Sequence, residues 1–339
     1  MIEEKGGRKH DLKSMYLSYG QRNNVSILQD QYFSNASVGA DKMVHNSIFT
    51  KELSITPEKG SEGVEILSFD LQPSLHPVAH AGGGFQGLTY TNSVEALEEN
   101  TDAFTLFEID LEWTSDDRLV GLHDWEECFT TIFGFDVEGP LDYSTFRELK
   151  TVTGITPLDL PLIKEFLLKN PSAKIITDTK SNNIDAIWKI ARFFPDFAER
   201  FIPQVYQPDE FSQAIEIGYR DIIWTLYRYC NIYDPVALVS HIRNWEDEYT
   251  IKPFAVTMPV CAAEGGIAKV MAKAGVPVYV HTVNTCDEYV RLLGLGVVSI
   301  YTDFLDVKEC YPIGSTSSCS ANTKHFRWCD IYFVSQQTM

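Results

Sequence analysis

The sequence predicts an α/β fold, a TIM (β/α)8 barrel with an N-terminal extension and a β-hairpin after the second strand. Beyond Pro77, short β-rich runs alternate with amphipathic segments, which is typical of a parallel sheet covered by helices. Polar residues also recur where successive strands end, as they do at the active face of a barrel. The 339 residues, 44% of them hydrophobic, are enough for a barrel of about 250 residues.

Nine segments are predicted as strands, one more than the barrel needs. They span residues 78–81, 106–111, 119–123, 174–178, 202–206, 221–226, 254–258, 276–283 and 299–302. The link between the second and third segments is too short for a parallel crossover, which takes at least about ten residues. Residues 114–117 therefore predict a hairpin turn, and the strand 119–123 is expected to return antiparallel, with His123 roughly opposite Asp110.

The connecting segments are predicted as helices, several of which begin at a capping residue such as Asp159 or Asp234 followed by an early proline. They span residues 93–99, 143–150, 160–168, 184–193, 208–217, 235–245, 262–274 and 286–293. The expected domains are an N-terminal extension at 1–75, the barrel at 76–312 and a C-terminal tail at 313–339.

Composition narrows the function classes. A formal net charge of -19 argues against a nucleic-acid partner, because binding to the phosphate backbone depends on Lys and Arg. The seven cysteines form no C-x-x-C pair, so neither a zinc site nor a disulfide framework is predicted, and isolated, reduced thiols are expected. The first residues lack a secretory apolar core, and no run of about 18 apolar residues occurs. We expect a cytoplasmic protein without a transmembrane segment.

A histidine followed by glycines comes directly after the first strand. His80 occupies the strand end, the position that faces the active site of a barrel. The amides of Gly82 and Gly83 can approach an anion closely, but the same glycines also allow a tight turn, so both interpretations stay open.

Three carboxylates point to a cation. Glu108 and Asp110 alternate onto one face of their strand, where they repel each other unless a cation or strong hydrogen bonds compensate. Asp178 ends the strand 174–178, and Lys180 lies on the same side. Together the three acids predict an oxygen-donor site suited to Mg²⁺ or Ca²⁺ rather than zinc or copper. A solvated strand edge and a structural Asp–Lys pair are the alternatives.

A second imidazole completes the set. His123 ends its strand, and the following Asp124 orients this imidazole or caps the loop. Two imidazoles and three carboxylates around one ion suit cation-assisted phosphodiester chemistry. Because the acidic chain repels an anionic phosphodiester, the ion and Lys180 would supply the local positive charge.

In their order along the chain, these motifs resemble the glycerophosphodiester phosphodiesterase family within the phosphatidylinositol-phospholipase-C-like TIM barrels. The family shows H-R-G-G, E-N-T, E-x-D with T-x-D-G, H-D, E-x-K, and late T-V-N and T-D elements. The matches are His80 with Gly82 and Gly83, Asn92-Ser93, Glu108 with Asp110, Thr114 with Asp116, His123-Asp124, Asp178 with Lys180, Thr282-Val283-Asn284, and Thr302-Asp303.

The resemblance implies a role for each matched residue. His80 and His123 would be the catalytic acid and base, and Lys180, Gly82 and Gly83 would meet the phosphate. The metal ligands would be Glu108, Asp110 and Asp178.

The sequence departs from the family pattern at four positions. Ala81 stands where the family has a phosphate-binding Arg, Thr91 where it has a Glu ligand, Asp178 in place of a Glu, and His281 at an aromatic position. An Arg228 between two tyrosines is an alternative source of positive charge, or simply an exposed loop residue. The remaining set is also similar to sphingomyelinase D-like phospholipases, so the reaction class is better defined than the substrate.

The expected function is metal-dependent hydrolysis of a glycerophosphodiester or a related small-molecule phosphodiester. The alternatives are a sphingomyelinase D-like or phospholipase D-like enzyme that forms a cyclic phosphate, and an inactive binding barrel. The cyclising enzyme needs an apolar entrance with peripheral membrane contact. Candidates for it are Trp125, Phe129, Ile132, Phe133 and Phe135, which in the other interpretation pack over the barrel as core.

Overall fold

The computed structural model describes residues 76–310, so the predicted extension at 1–75 and the tail at 313–339 lie outside the described residues. Nine strands are present. They are β1 (Val78–Ala79), β2 (Leu106–Trp113), β3 (Leu119–Gly121), β4 (Lys174–Asp178), β5 (Phe201–Val205), β6 (Ile223–Thr225), β7 (Ala255–Pro259), β8 (Val278–His281) and β9 (Ser299–Thr302). Their order is β1-β9-β8-β7-β6-β5-β4-β2-β3, and a further β1–β2 pairing closes the ring. All pairings around the ring are parallel, which confirms the predicted TIM barrel.

The strand outside the ring of eight, β3, forms the predicted hairpin with β2. It pairs antiparallel with β2, with Leu111 opposite Gly121. His123 was predicted to lie roughly opposite Asp110, and it follows that position by one residue, because the Leu122 N–H donates to the Asp110 carbonyl at 3.1 Å. Side chains alternate between the two faces of a strand, so a difference of one residue decides toward which face the His123 side chain points.

Ten helices cover the barrel in residues 76–310. They are α1 (Val94–Glu99), α2 (Glu127–Phe133), α3 (Tyr143–Glu148), α4 (Leu160–Lys169), α5 (Asn183–Phe193), α6 (Pro208–Ile217), α7 (Pro235–Tyr249), α8 (Val260–Glu264), α9 (Ile267–Lys273) and α10 (Cys286–Leu293). Short 3₁₀ turns occur at His80–Gly82, Pro195–Arg200 and Val307–Cys310. Within this range no helix has both the length and the apolar character needed to cross a membrane.

Two helix predictions need correction. The predicted helix at 262–274 is two helices, because Gly266 adopts a φ of 93° that interrupts the regular turn. The segment after His123, which carried no predicted helix, contains α2. Burial explains the helix, since its own side chains Phe129, Ile132 and Phe133 pack into a largely aromatic cluster with Trp125 and Phe146.

The barrel interior is layered. One apolar cluster takes a single residue from each strand of the ring: Val78, Leu106, Ile176, Ile202, Ile223, Ala255, Tyr279 and Tyr301. Because inward positions recur every second residue, the next inward layer lies two residues further along each strand. Its members are all polar: His80, Glu108, Asp178, Gln204, Thr225, Thr257, His281 and Asp303. An apolar floor therefore supports a polar ring at the carboxyl ends of the strands.

A disulfide corrects the cysteine prediction. Cys286 at the start of α10 and Cys310 in the last 3₁₀ turn are bonded, with their Cα atoms 5.1 Å apart. The expectation of isolated, reduced thiols is wrong for this pair. The two cysteines are 24 residues apart in the sequence, and a spacing of this kind does not predict a disulfide, because only the fold brings their Cα atoms within bonding range. Disulfides persist mainly in oxidising compartments, and the cytoplasmic location stays a prediction.

Replacing Cys310 by serine should lower the free energy of unfolding by about 3 kcal/mol, because the disulfide restricts the unfolded chain across the loop it closes. Urea denaturation with and without reductant measures this: the midpoint of the wild type should depend on the reductant, and that of Cys310→Ser should not. Cys261→Ser, which removes an exposed free thiol, is the matched control. Equal midpoints for wild type and Cys310→Ser under oxidising conditions would contradict the prediction.

Candidate active site

The predicted site lies at the carboxyl ends of the strands, at the polar ring and directly beyond it. Glu108, Asp110 and Asp178 each offer a carboxylate oxygen, and these atoms all lie within 4.8 Å of one another. The three side chains are buried, with 2%, 2% and 7% of the residue surface exposed. The register of β2 and β4 brings them together, because Asp110 and Asp178 are direct neighbours across these two strands. The exposed-edge alternative for Glu108 and Asp110 is therefore excluded.

Lys180 compensates one of these charges. Its ammonium lies 2.7 Å from Asp110 Oδ1 and 3.8 Å from Asp178 Oδ2. Burial opposes ionisation of Asp110, but the Lys180 charge and the nearby imidazoles outweigh it and lower the pKa of Asp110 to about 2. Asn92 adds to this support, because its amide donates to Asp110 Oδ2 at 3.1 Å and its Oδ1 accepts the Asp110 N–H at 2.9 Å.

Positive charge compensates the other two carboxylates less than Asp110. Burial, and then the charge of Asp110, raise the pKa of Glu108 well above its ordinary value. Burial likewise raises the pKa of Asp178 despite the nearby Lys180. Glu108 Oε2 accepts the Ala81 N–H at 2.8 Å, whereas the buried Oε1 has no hydrogen-bond partner within residues 76–310.

These observations fit a divalent cation. An all-oxygen cluster of buried carboxylates, one of them with an unpartnered oxygen, matches the ligand preference of Mg²⁺ and Ca²⁺. The cluster carries more negative charge than Lys180 alone neutralises. The cluster therefore favours further positive charge beside it.

His80 is held by a carboxylate at the end of β9. Its Nδ1 lies 2.8 Å from Asp303 Oδ1, and Asp303 Oδ2 accepts the Asn284 amide at 2.8 Å. Burial alone would lower the pKa of His80, but the Asp303 hydrogen bond and the charges of Glu108 and Asp110 raise it to about 9. The T-V-N and T-D motifs thus act together, since Asn284 positions the acid that holds the imidazole.

His123 is held in the same manner. Its Nδ1 lies 2.7 Å from Asp124 Oδ2, while Asp124 Oδ1 accepts the backbone N–H groups of Glu126 and Cys128 at 3.1 and 2.9 Å. Asp124 therefore both orients the imidazole and caps the first turn of α2. With Nδ1 engaged in each histidine, Nε2 is the nitrogen left for a substrate.

The Tyr90 ring lies between the two imidazoles and contacts both. Its ring centroid lies 4.7 Å from that of His80 and 4.8 Å from that of His123, with edge-to-face geometry in both pairs. Both histidines therefore face one mouth, as predicted. The sequence analysis did not identify Tyr90, because it lies in the irregular segment before Asn92, where no periodicity assigns a direction to a side chain.

The glycines after His80 have a structural explanation. Gly82 and Gly83 have φ angles of 86° and 92°, which residues with a Cβ rarely adopt. A Cβ on Gly83 would also lie 2.5 Å from the Asn100 amide nitrogen, at the end of α1. The tight-turn interpretation is therefore satisfied, and contact of these glycines with a phosphate stays a prediction.

Further polar side chains line the mouth. The Tyr206 hydroxyl donates to Asp178 Oδ1, and the Tyr227 hydroxyl lies 3.5 Å from Asp178 Oδ2. Burial, and then the charge of His80, lower the pKa of His281 to about 4, so a third, neutral imidazole is present. Tyr206 and Tyr227 were missed, although each lies two residues beyond a member of the polar ring. Strand alternation was the signal available to find them.

The structure shows where the candidate membrane-docking side chains and Arg228 lie. Trp125, Phe129, Ile132 and Phe133 are buried in the cluster around α2, which confirms the core interpretation, and only Phe135 of the five candidates is exposed, at 43%. Arg228 is exposed, donates to the Lys180 carbonyl at 2.6 Å and lies 4.9 Å above the Tyr206 ring. It belongs to the rim of the mouth.

Comparison with known proteins gives one family and several related structures. The model of the Glycerophosphoryl diester phosphodiesterase family matches residues 83–307, well over half of the chain. No curated protein sequence matches.

The related structures share the fold at low identity. A glycerophosphodiester phosphodiesterase from Parabacteroides distasonis is 18% identical, with 69% of this chain and 94% of that chain covered and a TM-score of 0.54. A putative glycerophosphoryl diester phosphodiesterase from Agrobacterium tumefaciens is 15% identical over 69% and 96%, with a TM-score of 0.55. An Oleispira antarctica phosphodiesterase in complex with the product sn-glycerol-3-phosphate is 13% identical over 69% and 96%, with a TM-score of 0.54.

Replacing Asp303 by asparagine should lower the pKa of His80 by roughly 1 to 3 pH units, because burial then acts without the opposing carboxylate. In the wild type the raised pKa stabilises the fold fully below the ordinary histidine value of about 6.5. That contribution is lost as the pH rises through about 9, and the variant should lack it.

The measurement is an NMR titration of labelled histidine rings in metal-free protein. Asp124→Asn, which removes the carboxylate from the other imidazole, is the matched control and should leave the His80 titration unchanged. An unaltered His80 titration in Asp303→Asn would count against this account of the site.

Proposed function

Because this chain belongs to the glycerophosphoryl diester phosphodiesterase family and is a phosphoric diester hydrolase, we propose that it hydrolyses glycerophosphodiesters at the barrel mouth with a divalent cation. The observation that carries the proposal is the pairing of His80 and His123 around Tyr90, at a mouth that also holds three buried carboxylates. Phosphodiester cleavage needs both parts: proton transfer at two oxygens and neutralisation of the phosphate charge.

The two imidazoles divide the proton transfers between them. In the metal-free protein the pKa of His80 is about 9, so its ring carries a proton at neutral pH, which suits an acid that protonates the leaving alkoxide through Nε2. His123, with Nδ1 engaged by Asp124, then accepts the proton of the attacking water at its own Nε2. Asp303 and Asp124 hold the rings in the required tautomer and orientation.

Positive charge at the mouth binds the phosphate. Lys180 supplies an ammonium group, and the pKa of Lys180 is raised by Asp110 and Asp178 despite its burial, so it stays charged. Ala81 provides no cation where the family has Arg, which leaves Lys180 and the metal as the main attraction for the anion.

Glu108, Asp110 and Asp178 would hold the metal. A bound Mg²⁺ or Ca²⁺ would supply Lewis-acid polarisation of the phosphoryl oxygens. Asn92 keeps Asp110 directed toward the cluster, and Tyr206 does the same for Asp178. The unpartnered oxygen of Glu108 speaks against the inactive-barrel alternative, because burying a polar atom without a partner costs free energy.

Replacing either His80 or His123 by alanine should lower kcat on glycerophosphocholine by about 10²- to 10⁴-fold, the usual contribution of one acid or base. The assay follows release of glycerol 3-phosphate with Mg²⁺ or Ca²⁺ present. His76→Ala, at the opposite end of β1, is the matched control and should keep full activity. Wild-type rates in both active-site variants, with unchanged circular dichroism, would sink the proposed mechanism.

Glu108→Gln should separate stability from activity. It removes a carboxyl whose pKa is raised by burial and therefore destabilises the fold above the ordinary pKa of glutamate, so the metal-free variant should melt at a higher temperature than metal-free wild type, while its activity is lost. Added Mg²⁺ or Ca²⁺ should raise the melting temperature of the wild type and leave that of Glu108→Gln nearly unchanged. Thermal melts with and without EDTA test this, and an equal response to the ion in both proteins would refute the ligand assignment.

The product tells hydrolysis from cyclisation. Phosphorus NMR of the reaction with a lysophospholipid should give a phosphomonoester and no cyclic phosphate. Burial of four of the five proposed membrane-docking side chains supports this expectation, because the cyclising alternative needed an exposed apolar entrance.

A further inference from the structure

A second group of metal-ligand side chains lies beside the first. His123, Asp124 and Cys128 each offer one ligand atom, and these atoms all lie within 4.8 Å of one another. They come from the end of the hairpin and the first turn of α2, and all three are partly exposed. The proposed reaction uses His123 and Asp124 but gives no role to Cys128.

The local backbone creates this grouping. Asp124 Oδ1 accepts the backbone N–H of Cys128 at 2.9 Å, which ties the start of the helix to the carboxylate. The other oxygen, Oδ2, lies 2.7 Å from His123 Nδ1. Burial, and then the Asp124 charge and hydrogen bond, raise the pKa of the Cys128 thiol, so the thiol is protonated in the absence of a metal. The contact between the Cys128 backbone and Asp124 places the sulfur beside the acid that orients the imidazole.

The donors differ in kind from those of the carboxylate cluster. Glu108, Asp110 and Asp178 present oxygen alone, which suits Mg²⁺ or Ca²⁺. One imidazole nitrogen, one carboxylate oxygen and one thiolate sulfur form instead a donor set typical of Zn²⁺ with an open fourth position. Partial exposure of all three side chains gives an ion access from solvent.

We propose that His123, Asp124 and Cys128 form an inhibitory site for Zn²⁺ and for similar thiophilic ions such as Cd²⁺. The inhibition, though not the binding, rests on the proposed function of His123. The ion would compete with catalysis because it uses the imidazole that accepts the proton of the attacking water.

The proton balance explains the inhibition. Nδ1 of His123 can bind the ion only after its proton moves to Nε2, and the Cys128 thiol releases one proton to solvent as the sulfur becomes a ligand. Nε2 then carries a hydrogen and has no lone pair with which to accept another. Asp124 meanwhile turns from a hydrogen-bond acceptor of the imidazole into a ligand of the ion.

The direct test is a Cd²⁺ titration of the full chain, with Mg²⁺ saturating the carboxylate cluster. Binding should give the ultraviolet absorption of a cadmium–thiolate bond, and Cys128→Ser should lose it. Cys261→Ser, which removes an exposed free thiol elsewhere, is the matched control and should keep it. His123→Ala should weaken the binding without removing the thiol. A Cd²⁺ titration that is identical in wild type and Cys128→Ser would overturn the proposal.

The second test is inhibition of glycerophosphocholine hydrolysis by Zn²⁺ at saturating Mg²⁺. Cys128→Ser should raise the inhibitory Zn²⁺ concentration by at least about tenfold, because even changes beyond the ligands weaken metal binding by this much. Cys128→Ala should behave in the same way, and melting temperatures near that of the wild type exclude misfolding as the cause. Unchanged inhibition in both Cys128 variants would overturn the inhibitory role, since Zn²⁺ would then act at the carboxylate cluster.

The two tests separate failure of this proposal from failure of the proposed function. If the wild type hydrolyses no glycerophosphodiester, yet the cadmium–thiolate signal depends on both Cys128 and His123, then the ion site stands and the proposed reaction falls. If hydrolysis depends on His123 but the signal does not depend on Cys128, then the reaction stands and the ion site falls.

Discussion

Three carboxylates buried together at the mouth of the barrel are the constraint on which the rest of the site depends. Glu108, Asp110 and Asp178 repel one another, and burial removes the water that would otherwise screen them. Lys180 and the protonated His80 offset part of this charge, and a divalent cation would offset the remainder. The same residues that make the metal-free barrel less stable would therefore hold the cation that attracts an anionic phosphodiester to an acidic protein.

The barrel turns this constraint into a reaction site through a simple layering. Each strand of the ring places an apolar residue inward at the floor and a polar residue inward two positions later. The floor supplies the hydrophobic burial that stabilises the fold, and the polar ring above it supplies side chains of the proposed site. Carboxylates within this mouth act in two ways: Asp303 and Asp124 orient imidazoles, whereas the acidic trio is suited to an ion.

Much of the fold and the site could be predicted, because the signals were local. Period-two alternation located the strands and placed Glu108 and Asp110 on one face, and the short link at 114–117 identified the hairpin. Predictions failed where distant segments meet. The Cys286–Cys310 disulfide and the contact of Tyr90 with both imidazoles depend on neighbours that no sequence period encodes. The exact hairpin register was likewise not predicted, since turn geometry sets it.

The sequence by itself determined the barrel, its strand order and the types of side chain available at the mouth, because these follow from alternation and from loop lengths within single strand–helix units. Only the tertiary structure decided which partner each of those side chains meets: Asp303 with His80, Lys180 with Asp110, and Cys128 with Asp124 and His123. The physical reason is the distance over which each effect acts. Alternation gives the direction of a side chain along one strand, but charge compensation and pKa depend on distances across the ring, and closure of the barrel sets those distances.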